Sequence, residues 1–143
     1  MYNLTISDIK EKLNGYFSAQ RKIKFAYLFG SAASNKTNKF SDIDIAVFLN
    51  ENISIQEYSD RKLSIMNDLS KIFDKNIDIV ILNNANSFLK YQVLKNGVEV
   101  YESYKGANRN FKVYAVLEYF DFLFIRRNME DALIRRIKER KHG

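Results

Sequence analysis

Cysteine and proline are absent from this chain of 143 residues, and histidine occurs once, as His142 near the end. Without a thiol there can be no disulfide and no thiolate-held metal, and a reducing compartment is compatible. The lone tail histidine is assigned no role. The lack of proline goes with an Asn-, Lys- and Ile-rich composition and reads as genome bias. No apolar run approaches membrane-spanning length, and the N-terminus has no signal-peptide character. The expected location is therefore cytoplasmic. No internal repeat or low-complexity tract is present.

What is present suffices for a folded domain. Hydrophobic residues make up 46% and aromatics 14%, which argues against disorder. A chain of this length forms one domain with a real core. The net charge is +6, and it is concentrated. From Arg126 onward seven basic residues (Arg126, Arg127, Arg135, Arg136, Lys138, Arg140, Lys141) face three acids (Glu130, Asp131, Glu139), which is +4 of the total. The basic balance thus describes a C-terminal helix, and it weakens the case for a broad nucleic-acid-binding surface.

The elements follow from periodicity. Thr5-x-x-Asp8 opens a helix as a capping box, with Ile6, Ile9, Leu13, Tyr16 and Phe17 on its inner face. Ile23 to Phe29 alternates as a strand, with Ile23, Phe25, Tyr27 and Phe29 on one side. Ala32 to Ser41 should hold a short helix, and Asp42 to Leu49 a second strand. Ser54-x-x-Glu57 is a second capping box, opening a helix to Phe73 with Tyr58, Ile65, Met66, Leu69, Ile72 and Phe73 inward. Asp74-Lys75-Asn76 breaks it. Ile77 to Leu82 is nearly all apolar, the pattern of a strand covered on both faces. A short helix from Ser87 to Asn96 should end on Gly97, followed by a strand from Val98 to Tyr101. Ser103 to Asn110 is a linker. From Phe111 a long helix, with a possible break near Phe124, runs towards the end. The alternation predicts an α/β fold, a small mixed sheet of about four strands backed by helices.

The chemistry centres on Gly30-Ser31, ten intervening residues, and Asp42-Ile43-Asp44. Side chains two apart on a strand share a face. Adjacent carboxylates repel, so a cation between them is the natural explanation. A hard divalent ion such as magnesium takes carboxylate oxygens and substrate phosphates together. The Gly-Ser turn is a seat for phosphate, because glycine lets the backbone approach and turn amides favour anions. Asp78 stands alone in Ile-Asp-Ile-Val-Ile-Leu, where an unpaired charge would cost several kcal/mol of desolvation. If its strand neighbours the Asp42–Asp44 strand, a strand spacing of ~5 Å gathers three carboxylates. Such a triad suits two ions roughly 3.5–4 Å apart. Taken singly, each piece has an ordinary reading: a turn, a solvated strand edge, a hydrogen-bonded acid.

Taken together, with the flanking apolar strands, the pattern resembles the polymerase-beta-type nucleotidyltransferases. In a chain this short it is similar to the minimal nucleotidyltransferases, the antitoxin half of HEPN/MNT toxin–antitoxin pairs. The likeness covers residues 23 to 102 well and the last helix loosely. It implies a nucleotidyltransferase core over residues 1–103 with a helical extension over 104–143. It also implies transfer of AMP from ATP to a tyrosine of a HEPN-type toxin ribonuclease, with two Mg2+ ions. Asp42 and Asp44 would hold both metals. Asp78 would hold one and help deprotonate the attacking hydroxyl. Gly30, Ser31, Ser41 and Lys36 would contact the nucleotide, Ser31 either as a phosphate ligand or as a helix cap. Family members often read Gly-Ser-x-Ala-Arg-Gly; here Ser34 and Asn35 stand at the last two positions. Lys36 or Lys39 could supply the missing charge, or could simply be solvated.

Two other functions compete. One is an antitoxin that acts by binding alone, its site decayed, which the missing Arg-Gly favours. The other is a nucleotidyltransferase for a small molecule or nucleic acid, which the short chain and localised charge disfavour. Along the C-terminal helix, Val113, Leu117, Phe120 and Phe124 form a stripe, widened by Tyr119, Phe122, Leu123 and Ile125. Such a helix has more apolar surface than a small domain can cover. The expected cover is the toxin or a second copy.

Overall fold

The computed structural model describes residues 4–30, 33 and 42–142, with the side chain of His142 excepted. The chain order is α1 (Ile6–Ser18), β1 (Ile23–Phe29), β2 (Ile43–Leu49), α2 (Tyr58–Phe73), β3 (Ile77–Ile81), α3 (Ser87–Asn96), β4 (Val98–Glu102) and α4 (Arg109–His142). The helix expected over Ala32 to Ser41 lies outside the described residues, apart from Ala33, which is half-buried against the core.

The four strands form one sheet in the order β3-β2-β1-β4. β1 is antiparallel to both β2 and β4, and β2 is parallel to β3. The parallel pair needs a crossover, which α2 supplies. One sheet face is covered by α1 and α2 through Ile9, Leu13 and Phe17, and Ile65, Leu69 and Phe73. The other is covered by α3 and the start of α4 through Val93, Phe111 and Ala115. There Phe25 stacks on Phe48, ring centres 4.8 Å apart, and tilts against Phe111 at 5.2 Å.

The capping box expected at the start of the first helix is present. Thr5 and Asp8 form the reciprocal capping box, each bond 3.1 Å. Other expectations are corrected. The β1 alternation breaks at its start: a register shift between Ile23 and Phe25 sends Ile23 to the α1/α2 side with Ala26 and Leu28. Phe25 and Tyr27 stay on the other side. Ser54 makes no side-chain cap; a 3-10 turn, Ile55–Glu57, precedes α2. Glu57 instead faces Lys22 at 3.7 Å and Arg61 at 4.0 Å. Ile72 is exposed on α2, while Ile65, Leu69 and Phe73 are buried. Asp74 ends α2 in the left-handed conformation, φ 51°. Gly97 ends α3 as expected, with an extended backbone, φ −82° and ψ 162°. Its small size is needed, because a Cβ there would collide with the Val93 carbonyl and crowd that of Leu28 at 3.2 Å.

β3 is an edge strand, and its burial alternates. The apolar run therefore did not mean cover on both faces. Past its end, the Asn83 side chain continues the ladder. The Leu49 N–H donates to Asn83 Oδ1 at 2.8 Å, and Asn83 Nδ2 donates to the Leu49 carbonyl at 2.9 Å.

α4 is one unbroken helix of 34 residues, about 51 Å long at 1.5 Å per residue. Its root is fixed by Asn108, which is 2% exposed. Asn108 Nδ2 donates to the Tyr27 hydroxyl at 2.8 Å and to Glu99 Oε2 at 2.7 Å. Tyr91 of α3 then stacks on Tyr119 at 3.9 Å, and Lys90 pairs with Glu118 at 3.2 Å. From Phe120 to Lys141 every residue is exposed. Of the two alternatives at Phe124, the helix is continuous.

Candidate active site

β1 ends at Phe29, the register partner of Asp44 on β2, and Asp44 is in turn the partner of Asp78 on β3. Three strands thus place Phe29, Asp44 and Asp78 in one row. Strand alternation decides the face. Ile43, Ile45 and Val47, with Ile77, Ile79 and Ile81, enter the α1/α2 core. Asp44 and Asp78 therefore project to the opposite side, that of Ala46 and Val80. The sequence expectation that the two acid-bearing strands are neighbours holds.

Gly30 follows Phe29 with φ 71°. A Cβ there would overlap the Asp44 Oδ2 and lie 3.1 Å from Asp44 Cγ. Glycine is thus required twice, by its backbone angle and by the carboxylate against it. The turn delivers main chain directly to Asp44. Ser31, Ser41, Lys36, Lys39, Ser34 and Asn35 lie outside the described residues.

The electrostatics match this crowding. Burial, then the charges of Asp78 and Asp42, push the Asp44 carboxyl above the ordinary aspartate value. A half-buried carboxylate flanked by two more resists ionising alone. Two expectations need correction. Asp42 is exposed and precedes β2 rather than lying in it. Asp78 is exposed as well, because β3 is at the edge. The desolvation argument for Asp78 therefore fails, and its register with Asp44 takes over as the reason to single it out. Among the described residues no three His, Cys, Asp or Glu side chains converge into a ready-made metal cage.

A cleft of about 550 Å³ adjoins Asp78 and runs beside β3. Tyr58, Lys62, Asn86 and Leu89 contribute to its walls. Sequence reading missed these residues, because nothing in the pattern of α2 or α3 shows that their first turns flank the same strand edge. It missed Asn108 for a similar reason: a polar residue in an apparent linker gives no sign of burial.

Comparison with known proteins adds the following. Residues 11–105 match the family described as polymerase beta, nucleotidyltransferase. A Methanocaldococcus jannaschii chain named a putative protein adenylyltransferase is 30% identical over 97 residues, covering 68% of this chain and 99% of that one. The protein adenylyltransferase MntA of Aphanizomenon flos-aquae is 33% identical over 104 residues, covering 68% of this chain and 69% of that protein. Among solved structures, a toxin–antitoxin crystal structure with AMP-PNP contains a chain of similar fold, TM-score 0.69 at 24% identity, covering 92% of this chain and 99% of that one. A chain from the complex of tri-AMPylated Shewanella oneidensis HEPN toxin with MNT antitoxin is also similar, TM-score 0.66 at 21% identity, covering 91% and 99%. With a glycine turn set against an acid on one strand, a second acid in register on the next, and a family match across the whole sheet, this chain belongs to the polymerase beta nucleotidyltransferase family.

Proposed function

We propose that this protein is an antitoxin that transfers AMP from ATP to a tyrosine hydroxyl of a HEPN-type toxin ribonuclease and so silences it. The observation that carries the reading is the pairing of Asp44 with Asp78 on adjacent parallel strands, with Gly30 held against the Asp44 carboxylate. Relatives bearing the name protein adenylyltransferase support it.

The donor set fits magnesium. All three candidates are carboxylates, the hard oxygen ligands that ion takes alongside phosphates, and Asp44, its carboxyl raised first by burial and then by the charges of Asp78 and Asp42, lies between the other two. Asp42 and Asp44 would hold both ions and Asp78 one. When bound, the metal supplies positive charge for the triphosphate and acidifies the acceptor hydroxyl. The chain's own residues do the positioning. Gly30 keeps the space over Asp44 clear of side chain and brings backbone to the phosphates. Ser31, Ser41 and Lys36 complete the nucleotide contacts. Asp78 accepts the proton of the attacking hydroxyl. The core over residues 1–103 carries this work and the extension over 104–143 carries the partner, both in the cytoplasm.

The partner surface is α4. The face that buries Phe111 and Ala115 continues outward as an apolar trough lined by Phe122, Ile125, Met129 and Leu133. Met129 is 68% exposed and Leu133 58%. The toxin covers this stripe.

The test is direct. The protein is incubated with magnesium, α-labelled ATP and the HEPN-type product of the neighbouring gene. Label is expected on the toxin, lost with Asp44→Asn. An unlabelled toxin, with both proteins folded, sinks the reading. Ser34 and Asn35 in place of Arg-Gly favour a second reading, neutralisation by binding alone. Under it the Asp44→Asn protein still neutralises the toxin.

A further inference from the structure

The sheet has two edges, and β3 forms the one beside the acids. Among the described residues no strand pairs with its outer side. The Asn76 carbonyl accepts from the Ile43 N–H at 3.0 Å and so faces β2. Alternation then turns the N–H and C=O groups of Ile77, Ile79 and Ile81 outward. Exposed edges are normally blunted by lysine, proline or a bulge. β3 reads Ile-Asp-Ile-Val-Ile, and its pairing with β2 runs without a register break. It carries no lysine, proline or bulge, and its one charge, Asp78, projects from a face of the sheet rather than along the edge.

The edge is also not filled in. The cleft beside it is lined by Asp78 to Ile81 themselves, with Ser59 from the first turn of α2 and Leu89 from the first turn of α3. A row of outward main-chain groups opening on a channel of this size is what an extended peptide needs to join a sheet.

We propose that the free edge of β3 is the acceptor subsite: an extended segment of the polypeptide that receives AMP adds there as a fifth strand, its hydroxyl-bearing residue in register with Asp78. This rests on the adenylyl-transfer reading above. Phe29, Asp44 and Asp78 already form a row across three strands. A residue opposite Asp78 is the next in that row, about 4.8 Å further on, and its side chain leaves the sheet on the same face. Asp78 then has Asp44 on one side and the acceptor on the other. The hydroxyl gives its proton to Asp78, and its oxygen forms a bond to the α-phosphorus of ATP. The bond from that phosphorus to the bridging oxygen breaks, and pyrophosphate leaves with the electron pair. Recognition through main chain places few demands on acceptor sequence and strict demands on its extension.

Two measurements test this. Amide hydrogen exchange is followed on the complex with the HEPN-type partner and AMP-PNP. The Ile79 and Ile81 amides are expected to slow at least tenfold relative to the free protein. This is read whether or not AMP is ever transferred, so it stands apart from the catalytic reading. Unchanged exchange at both amides in the saturated complex overturns the proposal. Second, Ser59→Trp, at an exposed position in the first turn of α2, places an indole in the cleft while leaving all three acids in the sequence. Labelling of the partner is expected to fall at least tenfold, with affinity for a fluorescent ATP analogue unchanged. Full labelling by that variant overturns the proposal equally.

Discussion

Asp44 and Gly30 act as a unit at the residue scale. Asp44→Asn keeps the size of the side chain and removes a charge that burial and two neighbouring acids disfavour, so transfer should fall by about 100-fold or more with a melting temperature equal to or above that of the wild type at neutral pH; a labelling assay and a thermal melt check both. Gly30→Ala meets a left-handed backbone and the Asp44 carboxylate together. It should cost roughly 1–3 kcal/mol in denaturant unfolding and lower transfer as well, because Asp44 must move. Asn108→Ala leaves Tyr27 and Glu99 without their donor, at an expected cost of about 1–3 kcal/mol. Glu99 offers a pH readout. Burial first, and Glu102 beside it, raise its carboxyl above the ordinary value of 4.5 despite the opposing bond from Asn108. The folded state therefore binds that proton more tightly than the unfolded one. The stability it adds is present below 4.5 and is lost as pH rises through the folded value. Melting curves of Glu99→Gln should be flatter than wild type across that window. Equal slopes would show that Glu99 does not set them.

Among the elements, α4 makes two different demands on one stripe. Its first turns pack on the protein's own sheet, and the later ones do not. Met129→Glu or Leu133→Glu should leave the melting temperature unchanged and weaken toxin binding by about 2 kcal/mol or more, as expected for a central apolar anchor; calorimetry of the complex decides. The sequence made the existence of α4 and its excess of apolar surface legible, because the stripe exceeds one face. It did not show where self-packing stops, since that depends on how far α3 reaches along it, to Tyr91 against Tyr119. β3 shows the same limit. Its apolar run predicted a strand correctly, but cover depends on position in the sheet, and strand order is not written in a five-residue stretch. The bulge that reverses Ile23 is likewise a pairing event between β1 and β2, invisible from either strand alone.

For the molecule as a whole, the candidate site is a meeting of strand ends, and this is why the adjacency of its two acid-bearing strands could be read in advance. Gly30 closes one strand, and Asp44 and Asp78 sit near the starts of two others; motif spacing encodes such ends well. The relative placement of Asp42 could not be read, because it falls just outside β2. A chain cut after Tyr119 keeps every buried side chain among the described residues. It should melt within a few degrees of the full protein and still bind an ATP analogue, while failing to hold the toxin. A large drop in melting temperature would mean that the distal helix supports the body. The exposed rod has a cost for a copy that has no companion. About six turns of sticky helix stand out in water, open to proteases and to chance adhesion. An orphaned molecule should therefore be short-lived, and supply of the protein would have to keep pace with that of whatever shelters it.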